Sequence, residues 1–259
     1  MSLLGLESEQ NENGDVRGWM PVTPFTASPD GMPRLATVAM LVDALGGMRS
    51  ITASDPDWAF TADMSIHLLP AGPTELLQAD LHVRRRGRRT LVIEAELLAD
   101  GERPAGSALL TFAVVPRPEH LVNITINMTP GRRKMNANSE HEKLESNYFD
   151  ELELLVTTPG VTTIELRPVV CNTVGALHGA IHASLIDEAS ASLGRSVFGT
   201  DAITTDLHLA YLELGRVGPL TATATAIGGP ANGRLAASVD VRDGNGELVS
   251  TATTEVVAP

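Results

Sequence analysis

Two stretches alternate apolar and polar positions with the period of a β-strand, FTADMSIHLL (60–69) and ITTDLHLAYL (203–212). In each a Thr is followed two residues later by an Asp, and each leads to a Gly-Pro turn, Gly72-Pro73 and Gly218-Pro219. A long alternating segment follows in both places, ELLQADLHVRRRGRRTLVIEAELLADGE and LTATATAIGGPANGRLAASVDVRDGNGE. Each breaks at a glycine-containing turn, as antiparallel pairs do, and each ends in a last strand, SALLTFAVV or LVSTATTEVV. A helical pattern precedes each set. In GALHGAIHASLIDEASASLG (175–194), Ile181, Leu185, Ile186, Ala189 and Leu193 share one face, with His178-Gly179 where the helix should start. The segment LVDALGGMRS (41–50) aligns with LIDEASASLG (185–194), matching Asp43 to Asp187 at an offset of 144; Asp63 and Asp206 match at 143.

The repeat decides the architecture. A helix-then-strands unit occurs twice, over 1–117 and 148–259. The intervening 118–147, with the basic TPGRRKMNANSEHEK, reads as a linker or exposed loop. The expectation is an α+β chain in which each unit wraps an antiparallel sheet round a central helix and the two associate as a pseudo-two-fold pair.

Asp43 is the one charged residue in the eleven of VAMLVDALGGM (38–48). Burying a carboxylate without partners is costly, and duplication does not explain why a charge recurs in so apolar a helix. Gly179 and Asp187 lie eight residues apart, roughly 12 Å and ~80° round a helix, so one reacting atom cannot touch both. A helix N-terminus offers free N–H groups and a positive dipole end suited to a developing oxyanion. The carboxylate that works with it must come from the other unit. Gly179 should therefore partner Asp43, and Asp187 the start of the first helix. At that start, SPDGMPRLA puts Ser28, Arg34 and Leu35 where the second helix has Asn172, His178 and Gly179. This predicts one competent site, made of Asn172, His178, Gly179, Asp43 and Thr61, and a degenerate second site with Asp187 and Thr204.

Length and charge narrow the class. The chain has 259 residues, 43% of them apolar, and the amino-terminal segment lacks the pattern of a secretory signal. No apolar run approaches the ~20 residues that span a bilayer, so no membrane partner is expected. One cysteine, Cys171, excludes an intrachain disulfide and suits a cytoplasmic location. A net charge of −13 argues against nucleic-acid binding.

The motif Asn172, His178-Gly179, Asp187 and Thr204, with Asp43 and Thr61 in the first unit, resembles the hotdog-fold acyl-CoA thioesterases of the phenylacetate-pathway type. TTDLHLAYL and LVSTATTEVV resemble that family as well. The resemblance covers about 110 residues strongly and the first half weakly, and implies a tandem, double-hotdog thioesterase. It implies Gly179 as oxyanion donor, Asp43 as base or nucleophile, and Thr61 positioning water, with Asn172 and His178 shaping the site. Ala180 stands where the family has a second glycine.

Other readings compete. His178 and His182 are spaced i, i+4 but lack a third ligand, so no metal is expected and His182 reads as packed or surface. Cys171 reads as a small buried residue, and Glu188 as solvent-facing. RRRGRR (84–89) reads as a solvated turn or, more sharply, as a phosphate contact for coenzyme A through Arg86 and Arg88; GRRK (131–134) is a weaker candidate. Aromatic residues make up 3% of the chain, which suggests an aliphatic acyl pocket. The first function expected is acyl-CoA thioester hydrolysis at one composite site, with no cofactor beyond substrate coenzyme A, in a homo-oligomer. The alternative is a non-catalytic acyl-CoA-binding or regulatory protein. An enoyl-CoA hydratase is disfavoured because no Asp-His hydratase motif is present.

Overall fold

The computed structural model describes residues 4–11, 14–119, 131–135 and 144–258. The first half contains β1 (Glu7–Gln10), β2 (Val16–Pro21), α1 (Leu35–Ser54), β3 (Trp58–Leu68), β4 (Leu76–Arg86), β5 (Thr90–Ala99) and β6 (Arg103–Val115). A two-residue strand β7 (Arg133–Lys134) and a one-turn helix α2 (Tyr148–Glu151) follow. The second half contains β8 (Leu155–Thr158), β9 (Val161–Ile164), α3 (Gly179–Phe198), β10 (Ile203–Tyr211), β11 (Leu220–Ala226), β12 (Arg234–Arg242) and β13 (Leu248–Val257).

Among the described residues the strands form one antiparallel sheet in the order β7-β1-β2-β4-β5-β6-β3-β10-β13-β12-β11-β9-β8. Apart from β7, the order reads the same from either end. The halves meet at β3 and β10, where Asp206 pairs with His67 and Ala210 with Asp63, and Ser65 faces His208 midway. Both strands carry a register shift at the same place, between Thr61 and Asp63 and between Thr204 and Asp206.

The two long helices pack on their own half-sheets and on each other. This explains a departure from simple amphipathicity: Leu35 to Gly46 are buried without interruption, Asp43 included. A helix apolar all round must be covered on all sides. At 20 residues, α1 is long and apolar enough to cross a membrane, against the expectation from apolar runs, but most of it is buried inside the protein.

The 118–147 segment departs in part from a plain linker. Arg133 and Lys134 add to the edge of β1 opposite Ser8 and Glu7. Arg132 pairs with Glu7, and its guanidinium lies 4.2 Å from the Trp19 ring centroid. The basic GRRK is thus used within the fold, drawn to an acidic and aromatic edge. Residues 120–130 and 136–143 of the segment lie outside the described residues.

Gly106 shows how closely β6 approaches β3. It has φ +145°, and a Cβ there would stand 2.2 Å from the His67 carbonyl oxygen. Gly106→Ala should destabilise the protein by about 2–4 kcal/mol, since backbone strain and a steric clash combine. Urea unfolding should show a lower midpoint with an unchanged slope.

Candidate active site

The starts of α1 and α3 are built alike. Before α3, the Asn172 side chain accepts hydrogen bonds from Val174 N–H (3.0 Å) and Ala176 N–H (3.1 Å), closing a turn through Gly175 at φ +73°. The helix begins at Gly179, capped by His178, whose side chain accepts from Ala180 N–H. Before α1, Ser28 N–H donates to Met32 O (2.7 Å), and Gly31 takes φ +81°. The residues that cap the two helices have nearly the same backbone, Arg34 at −62°, 142° and His178 at −64°, 141°. Asn172 therefore shapes the entry loop, and its hydrogen bonds stay within that loop.

Each helix start reaches the carboxylate of the opposite half. Ala180 N–H donates to Asp43 Oδ2 (3.2 Å), and Ala36 N–H donates to Asp187 Oδ2 (2.9 Å). Both N–H groups belong to a first turn that has no acceptor within its own helix.

The Asp43 cluster contains four of the sequence-derived residues. Thr61, at the register shift of β3, donates to Asp43 Oδ1 (3.3 Å). Bulges of this kind re-aim side chains. His178 Nδ1 lies 3.3 Å from Asp43 Oδ2 and 3.2 Å from Ala180 N. Protonated, that nitrogen donates to Asp43; unprotonated, it accepts from Ala180. At Gly179 a Cβ would stand 3.1 Å from Asp43 Oδ2 and 3.3 Å from the Tyr211 hydroxyl. Only glycine leaves that space between carboxylate and hydroxyl open. Asp43 itself is 8% exposed.

Sequence reasoning missed Tyr211. Its hydroxyl donates to Gly179 O (2.9 Å), and burial, then Asp43 and Asp63, hold its pKa well above the ordinary phenol value. A signal was present: Tyr211 closes ITTDLHLAYL at the place where the first repeat has Leu68.

The Asp187 side differs. Leu35 takes the glycine position and is buried. Arg34 donates from Nε to Ala27 O (3.1 Å), and its guanidinium covers the Phe149 ring at 4.9 Å. Tyr148, buried beside Phe149, bonds Ser184 Oγ at 3.2 Å. Thr204 donates to the main-chain oxygen of Asp187 (3.3 Å), where Thr61 reaches the Asp43 carboxylate. Burial raises the pKa of Asp187, opposed by Thr204, Arg34 and the Ala36 N–H.

The remaining candidates lie elsewhere. Arg86 is not brought to the cluster: Nε donates to Ala53 O (3.1 Å), and Nη2 lies 3.8 Å from Asp57. Ala53 is ten residues beyond Asp43, ~15 Å along α1, where a cation complements the helix C-terminus. Arg88 is exposed in the β4–β5 turn. Glu188, expected in solvent, is 8% exposed and paired with Arg195 at 2.5 Å, because α3 is covered there. His182 is buried, with its pKa lowered to about 4 by burial and by His178, and its Nδ1 meets Ser250 Oγ at 2.9 Å. Cys171 is partly buried, and its thiol donates to Arg167 O. Among the described residues no group of three or more His, Cys, Asp or Glu could hold a metal ion. A groove of about 180 Å³ lined by Glu9, Asp15, Arg17, Asp80 and His82 lies on β1, β2 and β4, and none of the Asp43 cluster lines it.

No protein-family model and no curated protein matches the sequence. Solved structures do match. An acyl-ACP thioesterase from Bacteroides thetaiotaomicron is 12% identical with a TM-score of 0.62, over 95% of this chain and 98% of that one. The 12:0-ACP thioesterase from Umbellularia californica is 10% identical with a TM-score of 0.61, over 93% and 92%. A protein of unknown function with a hotdog fold from Alicyclobacillus acidocaldarius is 14% identical with a TM-score of 0.57, over 96% of each chain. At these identities the likeness is one of fold: an α+β chain of hotdog type.

Proposed function

We propose that the protein hydrolyses acyl-CoA thioesters at one composite site, in a double hotdog made of units 1–117 and 148–259. The contact of Asp43 with the first turn of α3 carries this reading. It joins a carboxylate of one half to the N–H end of a helix in the other. The acyl-ACP thioesterases among the structural matches are consistent with the same bond being cleaved.

In this reading the thioester carbonyl oxygen takes the Gly179 N–H at the positive end of α3. Asp43, held by Thr61 and the Ala180 N–H, draws a proton from water as its oxygen attacks the carbonyl carbon. The tetrahedral intermediate collapses, the C–S bond breaks, and the departing sulfur receives the proton from Asp43. The products are a carboxylic acid and free coenzyme A. His178 lines the carboxylate, Asn172 holds the entry loop, and Arg88, exposed in the β4–β5 turn, would contact a coenzyme A phosphate. The protein would work in the cytoplasm as a homo-oligomer, with an aliphatic acyl group and no cofactor of its own.

Asp43→Asn should lower kcat/KM by about 10²–10⁴-fold, and Asp187→Asn should leave it within a few-fold. Thiol release from acyl-CoAs and acyl-ACPs of several chain lengths measures both. Loss in Asp187→Asn with retention in Asp43→Asn overturns the site assignment. Binding without thiol release by the wild type would favour an acyl-CoA-binding protein instead.

Asp187 also carries a pH expectation. Its folded pKa is raised above the ordinary 3.8, so the folded state holds the proton more tightly than the unfolded chain. The wild type then loses stability as pH rises from that value through the folded pKa, and bears the full penalty above it. Asn stays neutral and can still accept from Ala36 N–H. Asp187→Asn should melt higher than wild type at pH 7, and the difference should vanish below pH ~4. A constant difference across that range would contradict it.

A further inference from the structure

Behind the start of α3 stands a line of polar groups, buried at His182 and Ser250 and partly buried at Tyr211, that the register-equivalent positions of the first half lack. Ser250 Oγ meets His182 Nδ1 at 2.9 Å. The His182 ring meets Tyr211 edge-on, with centroids 5.6 Å apart at 78°. Tyr211 donates to Gly179 O at 2.9 Å. The matching positions are set by the strand registers and the helix alignment. Tyr211 pairs with Ser250 as Leu68 pairs with Gly106, and His182 matches Val38. One half therefore has Tyr, Ser and His where the other has Leu, Gly and Val.

The first half acts as an internal control. Leu68, Gly106 and Val38 complete the same fold without a hydroxyl or an imidazole. Buried polar groups are costly unless bonded and add little net stability when bonded. Packing does not account for three such groups changing together on the side that also has Gly179 and His178.

We propose that Tyr211 is a positioning residue of the Asp43 site, braced by His182 and Ser250, which fixes the peptide joining Gly179 to Ala180. The Gly179 carbonyl and the Ala180 N–H are opposite ends of one planar unit. A hydroxyl holding the oxygen sets the direction of the N–H, which lies 3.2 Å from Asp43 Oδ2. The same hold orients the Gly179 backbone that precedes it. Tyr211 remains a donor through the working pH range, since its pKa stands well above that of an ordinary phenol. His182 is neutral above about pH 4, so it does not compete as a cation for Asp43. The catalytic consequence rests on the thioesterase reading; the peptide geometry does not.

The test is Tyr211→Phe in the full chain, which removes one oxygen and leaves the ring against His182. The first half tolerates leucine here, so Tyr211→Leu serves as a second variant. Both should fold with melting temperatures near wild type. In Tyr211→Phe, kcat should fall about 10- to 100-fold with KM within about twofold, as expected for misplaced groups that act in the transition state. Amide hydrogen exchange at Ala180 should quicken about tenfold if the peptide is released. Unchanged kcat, or a fall matched by a loss of melting temperature, would overturn the proposal. If the wild type releases no thiol from any acyl-CoA or acyl-ACP, exchange decides alone. Faster exchange at Ala180 then keeps Tyr211 in this role while hydrolysis fails, and unchanged exchange removes it.

Discussion

Two buried carboxylates and two helix starts make complementary demands on this protein. A helix leaves its first N–H groups without acceptors, and a carboxylate inside a core needs donors. Neither half meets both demands itself, because Asp43 and Asp187 sit more than two turns inside their own helices. Crossing the halves meets them at once: Ala180 N–H reaches Asp43, and Ala36 N–H reaches Asp187. The packing of α1 on α3, the pairing of β3 with β10 and the uninterrupted burial of Leu35–Gly46 all accompany that exchange.

Near-symmetry of backbone makes the asymmetry of side chains informative. The caps at Arg34 and His178 share their dihedral angles, so differences between the two starts lie in the residues placed on them. At one start, glycine leaves open space between a carboxylate and a phenol hydroxyl. At the other, leucine occupies that position, and arginine lies over Phe149. The frame keeps both carboxylates but only one open glycine position, so the two starts differ in the space they leave beside the carboxylate. At Asp187 burial opposes charge and raises the pKa.

Much of this was legible along the chain. Period-two alternation located β3 and β10, and the offset of 143–144 residues paired them with their helices. The isolation of Asp43 among apolar residues marked it before any contact was known. The length and rotation of a helix were enough to exclude Gly179 and Asp187 from acting on one atom. Other features were out of reach. Glu188 reads as solvent-facing because nothing local shows that α3 is covered on that side. The bond of Arg86 to Ala53 O joins residues 33 apart, and no local pattern announces it.

The sequence by itself determined the repeat, the strand and helix periods, and which carboxylates stand in apolar surroundings, because each follows from local spacing and composition. Only the tertiary structure decided which donors those carboxylates meet. It put Ala180 N–H against Asp43, Phe149 under Arg34, and Tyr211 on the Gly179 carbonyl. Periodicity reports which face of an element is buried. A hydrogen bond between Asp43 and Ala180 spans 137 residues and depends on ångström-scale placement of two helices, which spacing along the chain does not encode.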